Sequence, residues 1–82
     1  MKTEHRILEV LATADRELYG LDLVAKGAVK RSWLFVTLGR MEEQGLIQGR
    51  EEAAAAPLLP RRLYRITDKG RALLLPVAKV RQ

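Results

Sequence analysis

An α+β domain, mainly α, is the fold class this sequence predicts. Three observations carry it. Apolar residues recur at helical spacing three times before Gly45, strand-type alternation begins just beyond it, and a second alternating run returns after an alanine- and proline-rich connection. At 82 residues the chain is one domain. A fold of this size hides only about 60 to 65% of the unfolded surface, so it must rely on a single efficient core.

The first helix is expected over 3–14, with Thr3 as N-cap and Ile7, Leu8, Leu11 and Ala14 at helical spacing; Asp15-Arg16-Glu17 is a polar break. A second, short helix over 20–28 follows from the stripe Leu21, Val24, Ala25 and Ala28, entered through Tyr19-Gly20 and weakened by Gly27. The third, over 32–44, has the fullest local signals. Ser32 is a good N-cap residue, Leu34, Leu38 and Met41 form an i, i+4, i+7 stripe, and Gly45 stands where a left-handed residue would stop the helix. With Gly45 in that role, Met41 and Leu46 become the apolar pair that accompanies a Schellman ending. Gly39, inside this helix, costs roughly 1 kcal/mol against Ala, and either permits a close approach or is simply tolerated.

Residues 46–67 are expected to form a hairpin. Leu46-Ile47-Gln48 leads to Glu52, and Leu63-Tyr64-Arg65-Ile66-Thr67 returns, with Tyr64 and Ile66 on one face and Leu63 and Arg65 on the other. Pro57 and Pro60 forbid a long helix in the connection. Thr67 or Asp68 then caps a last helix over 68–80, ended or kinked near Leu75 by Pro76. Three helices, a two-stranded β-hairpin wing and a C-terminal helix, in that order, make a winged helix-turn-helix.

The charge is unevenly placed. Fifteen Lys and Arg face ten Asp and Glu, for a net +5, yet residues 1–30 are neutral and residues 61–82 carry seven cations against Asp68 alone. Without cysteine there is no disulfide framework and no thiolate metal site. No apolar run approaches the ~20 residues that cross a bilayer, and Met1 to Arg6 lead into no apolar region of a secretory signal. The cytoplasm is therefore the expected compartment. Nothing supports an enzyme: there is no glycine-rich phosphate loop, His5 is the single histidine and suits a plain surface position, and Glu42-Glu43 and Glu51-Glu52 are adjacent pairs pointing different ways. No cofactor and no metal is expected.

A resemblance covers Ile7 to Leu75. Tyr19-Gly20, the stretch Ser32-Trp33-Leu34-Phe35-Val36-Thr37-Leu38-Gly39-Arg40-Met41-Glu42-Glu43-Gln44-Gly45-Leu46-Ile47, and Arg61-Arg62-Leu63-Tyr64-Arg65-Ile66-Thr67-Asp68-Lys69-Gly70-Arg71-Ala72-Leu73-Leu74 resemble the small winged-helix transcriptional regulators of the PadR family. Trp33 stands for the family's usual Thr, Phe35 for Tyr, Val36 for Pro and Gly39 for a basic residue. These departures fall where the family touches DNA, so they bear on sequence preference rather than on fold. The resemblance implies a sequence-specific regulator of double-stranded DNA, a repressor, that reads the major groove with the third helix and grips the backbone with a basic wing.

On a helical wheel Trp33, Val36, Thr37, Arg40 and Gln44 fall on the arc away from the Leu34, Leu38 and Met41 stripe. Thr37 suits a thymine methyl or a hydrogen bond, and Arg40 a guanine or a phosphate. Lys30, Arg31 and Ser32 flank the helix start, where unpaired N–H groups favour a phosphate. Arg61, Arg62 and Arg65, with Tyr64 between them, place cations on a narrow ribbon. Trp33 and Phe35 serve equally as packing or interface residues, Tyr19 as a structural residue closing a turn, and Arg65 as a solvated strand residue. Glu42 and Glu43 are taken as solvated helix positions. Leu73, Leu74, Val77 and Val80 form an apolar stripe for a homodimer, with the first helix as a further candidate contact, expected to be weak because family members append longer C-terminal helices and because Pro76 disturbs the stripe. The alternative function is a winged-helix module that binds protein without specific DNA binding.

Overall fold

The computed structural model describes residues 2–14, 16–52 and 61–75. Among them the element order is α1 (Lys2–Thr13), β1 (Leu18–Tyr19), α2 (Gly20–Ala25), a 3-10 turn (Arg31–Trp33), α3 (Leu34–Glu43), β2 (Ile47–Glu52), β3 (Arg61–Ile66) and α4 (Asp68–Ala72). None of these helices is long and apolar enough to cross a membrane.

In α1, Ile7, Leu8 and Leu11 face inward and are buried. Thr3 lies inside this helix rather than capping it. Gly20–Ala25 is shorter than the 20–28 expected, because Gly27 takes φ +76. The amide of Gly27 bonds the Val24 carbonyl and that of Ala28 bonds the Leu23 carbonyl, which closes a Schellman ending and returns Ala28 to the core as a buried residue outside the helix.

The start of α3 also differs. Ser32 is not an N-cap; it sits within the 3-10 turn, whose closing bond runs from Trp33 N to Lys30 O at 2.9 Å. The end of α3 is as expected. Gly45 takes φ +78, the Leu46 amide bonds Met41 O at 3.0 Å, and Met41 and Leu46 are both buried.

The sheet is antiparallel and has three strands in the order β1-β3-β2, one more than the hairpin expected. Leu18 pairs with Tyr64 and Tyr19 with Leu63, while β2 pairs with β3 from Ile47↔Ile66 to Glu52↔Arg61. A two-residue strand is too short for alternation to mark it in the sequence. Its two side chains nonetheless split as a strand requires, Leu18 into the core and Tyr19 to the far face. Leu63 is buried although it faces away from the core, between Tyr19 and Arg50 across the sheet. The connection 53–60 lies outside the described residues.

Thr67 caps α4, its hydroxyl accepting from Gly70 N at 3.1 Å. That hydroxyl also lies 2.6 Å from the Gly45 carbonyl, to which it donates, so the cap of α4 is tied to the stop of α3. The helix ends at Ala72 rather than running to 80, and Leu73, Leu74 and Leu75 continue as turns with i→i+3 bonds. Pro76 disfavours the helical conformation at Leu75, the residue before it. Leu73 is exposed, but Leu74 packs in part on the core of its own chain, which corrects its place in an apolar stripe free for a partner. Val77 and Val80 lie outside the described residues. The resulting core gathers side chains from α1, α2, α3 and all three strands, with Leu34, Leu38 and Met41 of α3 fully enclosed.

Candidate nucleic-acid interface

Burying Leu34, Leu38 and Met41 fixes which arc of α3 faces out. Val36 is 57% exposed and Phe35 69%, Trp33 just before the helix is 59% exposed, and Arg40 and Glu43 are exposed as well. Gly39 shares this arc, and a Cβ built on it would meet nothing within 4 Å. Of the two roles open to Gly39, close packing inside the chain is therefore ruled out. Thr37 is corrected: it is buried at 9% exposure, at the edge of the inward side of the helix, where it lines the recess shared by Trp33 and Arg40 rather than standing on the outward arc. On the helical wheel Thr37 stands next to Met41 and Leu34, at the edge of the inward stripe.

Lys30, Arg31 and Ser32 are exposed at the start of α3. Lys30 and Arg40 line an open recess with Trp33, of about 390 Å³. A second recess, of about 570 Å³, lies on the other flank between Tyr19 of β1, Leu21, Asp22 and Phe35 on the helices, and Arg61, Arg62 and Tyr64 on β3. The outward face of α3 thus has cations on both flanks.

The wing cations are more constrained than their number suggests. Arg61 lies over the Tyr19 ring, 5.4 Å from its centroid, and Tyr19 donates its hydroxyl to Glu52 Oε1 at 2.7 Å. That bond to a carboxylate holds the Tyr19 phenol above its ordinary pKa. Tyr19 also carries a structural role at α2, where its amide donates to Asp22 Oδ2 at 2.9 Å. Arg62 donates to Glu42 Oε2 at 3.0 Å and lies over the Tyr64 ring at 5.7 Å. Arg65 donates twice to Gln48 Oε1, at 3.0 and 2.6 Å, an uncharged acceptor that orients its guanidinium without cancelling the charge. Tyr64 is corrected: it is 3% exposed and its ring is part of the core, so of the ribbon residues only the three arginines reach solvent.

Four orienting residues escaped the sequence reading. Glu42, taken as solvated, accepts from both Arg62 and Gly49 N. Glu52 holds Tyr19, Gln48 holds Arg65, and Glu17 forms a two-pronged bridge with Arg50, in which Arg50 Nη2 lies 2.6 Å from Glu17 Oε1. The Arg50 hydrogen bonds lower the Glu17 pKa. Cross-strand register could have suggested Gln48 opposite Arg65, but the Glu17 and Glu42 contacts join residues 33 and 20 positions apart and leave no local signal.

The transcriptional regulator PadR-like family model matches residues 7–75. No curated protein matched. Among solved structures, a PadR-like transcriptional regulator from Bacillus cereus is 31% identical with a TM-score of 0.67; the match covers 87% of this chain and 72% of that one. PadR of Bacillus subtilis, in complex with operator DNA, is 24% identical with a TM-score of 0.75, and there the match covers 87% of this chain but 43% of the other. A PadR family regulator from Clostridium difficile has a TM-score of 0.76 at 20% identity, over 90% of this chain and 80% of its own. With a family match running from the first core residue of α1 to the turns beyond α4, and the fold shared throughout, the chain belongs to the PadR-like family of transcriptional regulators.

Proposed function

We propose that this chain binds duplex DNA sequence-specifically and represses transcription, with α3 in the major groove and the wing on the adjoining backbone. The observation that carries this reading is the outward arc of α3. It is clear of the rest of the fold and flanked by Lys30 and Arg40 on one side and by Arg61 and Arg62 on the other. That is the arrangement a helix needs between two phosphate rails. The operator complex of the Bacillus subtilis protein supports the same reading. The site residues on this view are Lys30, Arg31, Ser32, Trp33, Val36 and Arg40 of the helix region and Arg61 and Arg65 of the wing. Arg62 has the smaller share because Glu42 compensates its charge.

A homodimer acting in the cytoplasm completes the proposal. Leu73, at 56% exposure, is the described residue of the C-terminal stripe available to a second copy. Sedimentation at micromolar concentration should show self-association that strengthens on a palindromic duplex.

Gel shifts on random duplex test the function. Binding should appear at low salt and weaken steeply as salt rises, by about 0.9 in log K per log salt for each phosphate neutralised, and Arg61→Ala should flatten that dependence. The rival reading, a protein-docking module, draws on the exposed Trp33 and Phe35. Absence of any shift at about 50 mM salt would favour it.

A further inference from the structure

The outward face of α3 is poor in the groups that read most bases. Phe35, Val36 and Gly39 offer neither donor nor acceptor, Arg40 offers donors, Glu43 only acceptors, and Trp33 at the helix start a single indole N–H. Guanine presents two acceptors in the major groove and needs a donor opposite them; adenine presents an acceptor and a donor and is matched by a side-chain amide, which here only Gln44 offers, at the C-cap of α3 and away from the end that meets base edges. Only one feature of the groove floor is complementary to apolar atoms, the C5-methyl group of thymine.

We infer that α3 selects its duplex chiefly through thymine methyl groups met by Phe35 and Val36, so that the half-site is A·T-rich, with Arg40 as the one helix residue able to take a guanine. This inference rests on the DNA-binding reading above. Three features place these side chains on the groove floor. Both lie in the first turn of α3, the end of a recognition helix that contacts base edges. Gly39 leaves the middle of the arc without a side chain, with nothing of the chain within 4 Å of a Cβ there, so the helix backbone can seat deeply. Cations outnumber acids on both sides of the apolar strip, Lys30 and Arg40 against Glu4 around the Trp33 recess and Arg61 and Arg62 against Asp22 around the Phe35 recess. A methyl-lined floor between two phosphate rails has that pattern of apolar centre and anionic margins. An apolar protein surface would leave the cations on both margins unmatched.

The test compares duplexes of equal length built from alternating dA–dT, alternating dA–deoxyuridine and alternating dG–dC. Deoxyuridine removes the methyl group and keeps every hydrogen-bonding atom. The dA–dT duplex should bind tighter than the deoxyuridine duplex by about fourfold for each methyl covered, and tighter than dG–dC. The double variant Phe35→Ser, Val36→Ser should bind the dA–dT and deoxyuridine duplexes alike. Its melting should stay near that of the parent because both side chains are exposed, and its salt dependence should be unchanged because no charge is altered. Equal affinity of the parent for dA–dT and deoxyuridine duplexes, tighter binding of dG–dC, or discrimination that survives in the double variant would each overturn the methyl reading while leaving DNA binding intact. Failure to bind any of the three at about 50 mM salt would instead overturn the DNA-binding reading, and the methyl reading with it.

Discussion

Glu42, in the last turn of α3, holds Arg62 of the returning strand: Arg62 Nη2 lies 3.0 Å from Glu42 Oε2, and the same oxygen accepts from the Gly49 amide at 3.1 Å. One carboxylate thus ties the helix to both strands of the wing. Gly49 is the residue that makes room for it, since a Cβ there would lie 2.7 Å from Arg62 Nη2 and 2.9 Å from Tyr64 Cε1.

Glu42→Ala should therefore lower stability by about 1 kcal/mol, a figure kept small because the pair is partly solvated. Glu42→Gln, which can still accept from Gly49, should lose less. Urea denaturation compares the two. In DNA binding, Arg62→Ala should change the salt dependence less than Arg61→Ala; an equal change would show that Glu42 releases Arg62 when the duplex arrives.

Gly70 is placed by contact rather than by backbone angle. A Cβ built on it collides with the Leu46 carbonyl oxygen and comes within 2.9 Å of Ile66 Cγ1 and 3.1 Å of Leu8 Cδ2. The main chain of Leu46 cannot swing aside as a side chain can, so Gly70→Ala should cost about 3 kcal/mol, the upper part of the range for overpacking. Thermal melting should show it. Gly39→Ala, in open space and inside a helix, should be neutral or stabilising by up to about 1 kcal/mol.

Leu38 and Arg40 stand two residues apart on opposite sides of α3, one fully enclosed and one exposed. Leu38→Ala should cost about 2 to 5 kcal/mol of stability through the lost burial and the cavity left behind. Arg40→Ala should leave the melt within about 0.5 kcal/mol and alter which sequences are recovered from a random duplex library.

Glu17 and Arg50 give stability a dependence on acid. The Arg50 guanidinium hydrogen-bonded to Glu17 lowers the carboxyl's folded-state pKa below its unfolded value. Its contribution is thus complete above the ordinary carboxylate range and is lost as pH falls through the lowered value. Glu17→Gln should be less stable than the parent near neutrality, and the gap should close as the solution is taken into acid. Urea denaturation across that range reads it directly.

The first and third helices and the hairpin are legible because each is announced locally, whereas the stripe expected for the second is out of register, since Leu21 is exposed and Leu23 is the enclosed residue. Gly45 with Met41 and Leu46 marks a helix stop, and the Tyr64 and Ile66 alternation marks a strand. The misses share a cause. Gly27 reads along the chain as a weak helix residue, yet its positive φ makes it the stop, and β1 is a strand only because β3 lies beside it. At the site, Thr37 and Tyr64 look surface-compatible by residue type, yet the tertiary fold encloses both.

By itself the sequence determined the order of the helices and of the two wing strands, the inward stripe of α3 and the concentration of cations after residue 60, because these follow from spacing and residue type along the chain. Tertiary structure alone decided which cations stay available. Arg62 is compensated by Glu42, Arg50 by Glu17, and Arg65 is oriented but not neutralised by Gln48. The physical reason is that Coulomb partners are chosen by distance in space. A residue 20 or 33 positions away along the chain can become the nearest carboxylate once the strands pair.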